Sequence, residues 1–469
     1  MSAGQHVRAV PAHGQAPGEA QAGRFAVFTI VSLALMMASV DQTIVATALP
    51  ALQHDLSAPV NWSSWTITIY ALGQVITMPL AGKIGDQYGR KKIFLGAVVL
   101  FTAASLLCGF ATSIYQLVAL RALQAIGGGA FMPSATGIVS EQFGPDRDRA
   151  LGLFSSVFPI GGIIGPLLGG VLVTYWSWRG IFLVNVPVGL ALIGLGVIFI
   201  PRSPPRAREP LDVRGVALLG TALLAAMFGI ASLGDGRSSP AALSFLFPES
   251  AGLLALILFA RHVRRSESSF ISARYLVGRG FAVMNLLNFL FGCAALGFGA
   301  LVPVYAHERY HIAVLPAGTL LTARAVGMIS AAGLAVLLLR RTGYRWPMLA
   351  GFGLTAAGLV MIAASPVHAP AYTWLAIATG ITGIGMGTST PAANNATLQL
   401  APEQSAAIAG LRGMFRQCGA ITSVSVTAAV MARSAHPAIA QAHAFILFAA
   451  VLAGVIPLLL FVPDHRGTW

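Results

Sequence analysis

Two charged residues lie deep inside long apolar stretches in the first half of this chain: Asp41, in "SVDQTIVATALP", and Arg121, in "LVALRALQAIGGGA". As helices rising 1.5 Å per residue, the two stretches place Asp41 about 23 Å from one face of the apolar layer and Arg121 about 10 Å from the other. In a layer about 30 Å thick these depths nearly coincide. A carboxylate at such depth is expensive unless paired, and its hold on a proton changes with its partner and with the access of water. Two readings fit: a permanent ion pair that fastens two helices, or an acid that binds and releases a proton as its surroundings change. Tyr70 and Gln74, at comparable depth on the second apolar run, are candidates for lining an internal cavity, as is Gln124.

The second half carries cations instead. Arg324 lies near the middle of "LLTARAVGM", and Arg412 and Arg416 stand one helical turn apart in "GLRGMFRQCG", with no acidic residue in the apolar runs around them. Helix carbonyls or Asn394, Asn395 and Gln417 would satisfy them; alternatively they attract an anionic or zwitterionic substrate.

The elements that must hold these residues are membrane helices. Of 469 residues, 56% are hydrophobic and 9% charged, with a mean hydropathy of +0.77, against about 25% charged residues in soluble domains. Continuous runs of about 20 apolar residues recur about fourteen times, and continuous rather than alternating runs exclude a barrel. The expected architecture is an all-α polytopic membrane protein. A cytoplasmic, disordered N-terminal tail over 1–24 precedes a six-helix bundle over 25–200. A linker with two inserted spans occupies 201–280, a second six-helix bundle 281–462, and a cytoplasmic C-terminal tail 463–469. Two comparable bundles suit a transporter whose halves rock about a site near mid-membrane.

Lys and Arg are distributed unevenly. With the N-terminus inside, the outer loops hold only Arg179, Arg237, Arg309 and Arg433, so both termini are expected in the cytoplasm. The formal charge of +14 is thus a topology signal and not a nucleic-acid footprint. Cys108, Cys293 and Cys418 lie apart within apolar runs, with no metal or redox spacing. Histidines such as His262 and His368 fall at loop edges and read as surface residues. No phosphate-binding GxxxxGK[ST] loop is present, so the chain itself supplies no ATPase and no cofactor is expected. The partners are a small-molecule substrate, protons and the bilayer.

Two glycine-punctuated segments carry a mechanical signal. "GKIGDQYGRKK" (82–92) contains all three lysines and embeds Asp86 among cations; Asp86 would pair with Arg90 or meet a helix N-terminus. "SVFPIGGIIGPLLGGVL" places Gly161, Gly165 and Gly169 at intervals of four, a smooth stripe widened by Gly170, with Pro166 bending the helix. The first segment resembles the loop signature of the major facilitator superfamily at Gly82, Asp86, Gly89, Arg90 and Lys91, a loop that in this family latches the two halves on the cytoplasmic side. The second resembles the family's antiporter signature at Gly161, Gly165, Pro166, Gly169 and Gly170. The surroundings of Asp41 and Arg121, together with "WSWRGIFLVNVPVG" and "LDVRGVALLG", resemble the fourteen-span drug:H⁺ antiporter branch, with Ala125 standing where that branch has Gly. The resemblance implies the major facilitator fold and a proton-coupled exporter of amphipathic compounds, a monomer with or without a periplasmic adaptor. The alternatives are a dedicated exporter of one metabolite or antibiotic, and a receptor or assembly component that uses the scaffold without turnover.

Overall fold

The computed structural model describes residues 17–58, 60–154, 157–203, 212–234, 242–266, 269, 271–278, 280–364, 366, 369–431, 433–462 and 464. It is all-helical among them. In chain order the α-helices are α1 (Pro17–Asp55), α2 (Val60–Tyr88), α3 (Arg90–Gly109), α4 (Ile114–Phe143), α5 (Arg147–Phe154), α6 (Val157–Tyr175), α7 (Gly180–Leu183), α8 (Asn185–Phe199), α9 (Val213–Gly234) and α10 (Leu243–Arg265). They continue as α11 (Ala273–Val277), α12 (Phe281–Gly292), α13 (Gly299–Tyr310), α14 (Val314–Thr342), α15 (Arg345–Ala363), α16 (Ala371–Gln399), α17 (Ser405–Met431) and α18 (Pro437–Val455), with a π-turn, Cys293–Phe298, joining α12 to α13.

Among the described residues, eight helical segments are long and apolar enough to cross a membrane. Helices α4, α16 and α17 match them in length, at 30, 29 and 27 residues, but their middles are rich in Gly, Ala, Ser, Thr and Asn. Those residues are mostly buried. A helix enclosed by other helices is held by close backbone approach rather than by solubility in lipid, so it selects small side chains. Two other runs are split by local backbone. The run expected over 151–175 falls into α5 and α6, and the one from 181 into α7 and α8, with Asn185 opening α8.

Gly89 turns the chain between α2 and α3 at φ +98°, where a side chain would strain the backbone. Its N–H donates to Gly85 O at 3.1 Å. The start of α4 is capped by Ser113, whose hydroxyl accepts from Gln116 N at 3.2 Å. At the end opposite the basic loops, Trp178 Nε1 and Arg179 Nη1 donate to Asp55 Oδ2 at 2.8 and 2.6 Å. These donors hold the exposed Asp55 carboxyl below its usual range.

Packing within each half is backbone against backbone. On α6, a Cβ at Gly161 would meet Ser39, one at Gly165 would meet Thr43, and one at Gly169 would meet Thr47, all on α1. Gly170 is different: it is exposed, and nothing lies within 4 Å of where its Cβ would be. It therefore does not widen the stripe. α6 continues through Pro166, whose side chain lies outside the described residues.

The two halves share a core at the basic end. Phe281, Leu398, Ile408 and Ala409 join Ala135, Ile138, Val139 and Phe154 in one buried cluster. Helix α2 lies on α17: a Cβ on Gly82 would be 2.6 Å from Ala406 O, and one on Gly413 would be 2.7 Å from Met78 Sδ. The α9–α10 pair lies beside this seam, with Leu219, Phe259 and Val263 clustered with Val75 of α2 and with Leu411 and Met414 of α17. Only 17% of the apolar window of α10 is buried, against 56% for α2, so α10 is a peripheral helix. His262 is not a bare surface residue: its Nε2 is 2.7 Å from Asp212 Oδ1, which also accepts Gly215 N at 2.8 Å and so ties α10 to the start of α9. His368 lies outside the described residues.

Replacing Met78 and Gly413 by cysteine tests the seam, since the atom nearest the Cβ position of Gly413 is Met78 Sδ, which the substitution removes. In a variant whose three native cysteines are alanine and whose 204–211 linker carries a protease site, mild oxidation should link the halves so that they comigrate after cleavage. Halves that separate under those conditions contradict the contact.

Candidate functional site

The site is assembled by five helices around one carboxylate. Asp41 comes from the middle of α1 and Arg121 from α4. Tyr70 and the Thr66 carbonyl come from α2, Ser105 from α3, and Asn185 from the first position of α8. All are buried: Asp41, Arg121, Gln124, Ser105 and Thr66 have 0% exposure, Tyr70 1% and Asn185 3%. Arg121 Nη1 donates to Asp41 Oδ2 at 2.6 Å and to Gln124 Oε1 at 2.7 Å, while its Nε donates to Thr66 O at 3.2 Å.

The other carboxylate oxygen is equally occupied. Asp41 Oδ1 accepts from Gln124 Nε2 at 3.0 Å and from Asn185 Nδ2 at 3.1 Å. Both amides also donate to Ser105 Oγ, at 3.1 and 3.0 Å, and the Ser105 hydroxyl donates a hydrogen bond to Phe182 O at 2.9 Å. Cys108 Sγ lies 3.9 Å from Gln124 Oε1. The guanidinium stacks 4.0 Å above the Tyr70 ring, an arrangement worth about 2 kcal/mol when desolvated. Two polar groups at the centre have no hydrogen-bond partner among the described residues: Arg121 Nη2 and the Tyr70 hydroxyl.

The network is dense around the carboxylate, while on its far side two buried polar atoms lack a hydrogen-bond partner. Asp41 accepts from one cation and two amide donors. Losing any of these donors would leave a buried polar group without its partner.

Tyr70, Gln74 and Gln124 do not line an open cavity in this state. Tyr70 and Gln124 belong to the Asp41 network, and Gln74 is 3% exposed, with its Cα 3.0 Å from where a Cβ on Gly129 would sit. Sequence reading did not single out Asn185, Ser105 or Thr66. Asn185 left a signal, a lone amide in the apolar "FLVNVPVG"; Ser105 in "FTAASLLCG" left none.

At the basic end, Arg90 Nη2 pairs with Asp86 Oδ1 at 2.8 Å, and its Nη1 with Glu141 Oε1 at 3.1 Å and with Gly137 O at 2.6 Å. Glu141 in turn accepts from Ser203 Oγ at 2.8 Å. These partners all belong to the first half. Lys91 Nζ donates to Val197 O at 2.8 Å, also within that half, so among these residues the approach to α17 is made by Gly82.

The second-half arginines are not gathered with Asp41. Arg416 lies with its guanidinium 4.8 Å from the Phe291 ring, and Arg412 is 3% exposed. Arg324, on α14, packs its backbone against Gly383 of α16. Asn395, a candidate partner for these cations, instead donates to Asp148 O of α5 at 3.2 Å. A separate surface cavity of about 380 Å³, lined by Ala51, His54, Asp55, Val173, Ser177, Trp178 and Arg179, opens at the other end, away from Asp41.

A helical membrane protein with a charge network buried inside one half, and with the two halves packed at a seam of small residues, has the build of a transporter. The sequence profile of the Major Facilitator Superfamily matches residues 31–310 and again 284–469, and the chain belongs to that superfamily. It is 33% identical over 392 residues to the multidrug resistance protein B homolog of Mycobacterium tuberculosis, covering 82% of this chain and 72% of that one. It is 30% identical over 417 residues to the tetracenomycin C resistance and export protein of Streptomyces glaucescens, covering 86% and 75%. Among solved structures, the human organic anion transporter MFSD10 superposes with a TM-score of 0.68 over 95% of this chain and 100% of that one, at 16% identity, a likeness of fold alone.

Two of the donors to the Asp41 carboxylate, one charged and one neutral, should respond differently to substitution. Arg121→Gln strands a buried carboxylate and should destabilise the purified protein by about 3–5 kcal/mol. Asn185→Ala removes one of three donors and should cost about 1–2 kcal/mol. Thermal unfolding followed by tryptophan fluorescence measures both, and equal effects would show that the pair carries no more than an ordinary hydrogen bond.

Proposed function

We propose that this protein is a proton-coupled exporter of amphipathic drugs or toxic compounds. It belongs on this reading to the fourteen-span drug:H⁺ antiporter branch, with bundles over 25–200 and 281–462, an inserted pair of spans within 201–280, and both termini in the cytoplasm. The observation that carries the reading is the Asp41–Arg121 pair, buried at 0% exposure on both sides, with a second acceptor oxygen held by Gln124 and Asn185. Its export partners by likeness, a multidrug resistance protein and an antibiotic exporter, support the direction of transport.

The cycle follows from competition for one carboxylate. With the basic end closed, Asp41 is reached from the opposite side and takes a proton, which releases Arg121 from its partner. The freed guanidinium shifts away from Asp41, and the altered packing of α1 against α4 favours opening of the basic end. There the substrate enters, the proton leaves to the cytoplasm, and the re-formed pair accompanies closure. Gly82 and the Asp86–Arg90–Glu141 cluster keep the closed state in register, while the glycines of α6 let α1 slide without side-chain obstruction.

Everted vesicles energised by respiration test the coupling. Adding tetracenomycin C should dequench a lumenal acridine dye as protons leave in exchange. Asp41→Asn should abolish the response while the protein remains in the membrane at wild-type level. An undiminished response in Asp41→Asn removes Asp41 from the coupling.

A further inference from the structure

The geometry points to a binding site for an anionic group at Arg412, so that the exported compounds carry a negative charge. This rests on the exporter reading above and names its substrate class.

Arg412 is 3% exposed, and its Nε and Nη1 have no hydrogen-bond partner among the described residues; Arg416 Nε, one turn further along the same face of α17, has none either. Arg416 has its cationic face against the Phe291 ring, which leaves its charge uncompensated by any anion. No carboxylate nearby is available to either. Between residues 281 and 462 the acids are Glu308, at the far end of α13, and Glu403, in the turn before α17. Helices α9, α12, α16 and α18, which pack on α17, contain no acid. The acids of α2 and α4 are Asp86 and Glu141, both already paired with Arg90.

Two cations one turn apart repel each other, and cations in a membrane interior are kept only where they pair or work. A guanidinium presents a planar fork of donors matched to a carboxylate, sulfonate or phosphate. The site thus belongs to the second half and the proton site to the first, so one molecule can hold both at different stages of the cycle.

Fluorescein and rhodamine 6G share a xanthene core but carry opposite charge near neutral pH, and their binding to the full-length protein in detergent is read by fluorescence anisotropy with no gradient present. Fluorescein should bind at least tenfold more tightly than rhodamine 6G. Arg412→Gln should weaken fluorescein at least tenfold and collapse that preference, while Arg412→Lys restores most of it. On the wild-type protein alone, benzoate should displace fluorescein where benzylamine does not, which keeps the test open if Arg412→Gln fails to fold. Equal affinity for the two dyes, preference for rhodamine 6G, no binding of fluorescein, or unchanged affinity in Arg412→Gln overturns the site. Because binding is measured at equilibrium, failure of proton coupling in vesicles leaves this result standing, and the reverse holds equally.

Discussion

Burying one full charge in a membrane interior is tolerable only if something of opposite sign comes with it, and that requirement organises the first half of this protein. Asp41 fixes where Arg121 must be, Arg121 fixes the ring of Tyr70 beneath it, and the second carboxylate oxygen draws in amides from α4 and from the start of α8. Four helices besides α1 are thereby placed in register by one side chain. Such a network specifies a single arrangement while every member is satisfied, and favours another as soon as one member changes charge.

The junction between the halves works on the opposite principle. Where α2 meets α17, the contacts are made by Gly82, Ala406, Gly410 and Gly413 against backbone atoms and the Met78 thioether. Asp86, Arg90 and Lys91 find partners within the first half. A smooth contact has dispersion attraction but little orientation preference; the directional bonds that cross between the halves lie beside it, where Asn395 Nδ2 and Gln399 Nε2 reach Asp148 O and Oδ2. Directional bonds are concentrated inside the first half, at Asp86, Arg90 and Glu141, where α2, α3 and α4 stay together.

Much of this was legible from residue order. Hydropathy and the spread of Lys and Arg are averages over many residues, and depth counting along helices set Asp41 opposite Arg121. The glycines of α6 were visible at spacing four, because helical periodicity maps such spacing onto one face. What escaped had no local mark. Ser105 is one hydroxyl in a run of small residues, Glu141 gains meaning only from Arg90 fifty-one positions earlier, and Asn395 finds Asp148 across the seam rather than the arginines of its own half. Tyr70 and Gln74 looked like cavity walls because polar groups at mid-depth usually face water; here one covers a guanidinium and the other is pressed under Gly129. Gly170 follows the stripe in sequence but faces outward, since adjacent positions on a helix lie about 100° apart.

The glycines of the α2–α17 seam also limit how this molecule can change over generations. Every single-base alteration of a glycine codon that alters the residue installs something bulkier, and there is no smaller alternative to retreat to. Adjustment of how tightly the two halves close is thus left to the facing positions, Met78 and Ala406, where volume can be added or removed in small steps. Homologues tuned to open more readily should differ from this chain there, with the glycines themselves left untouched.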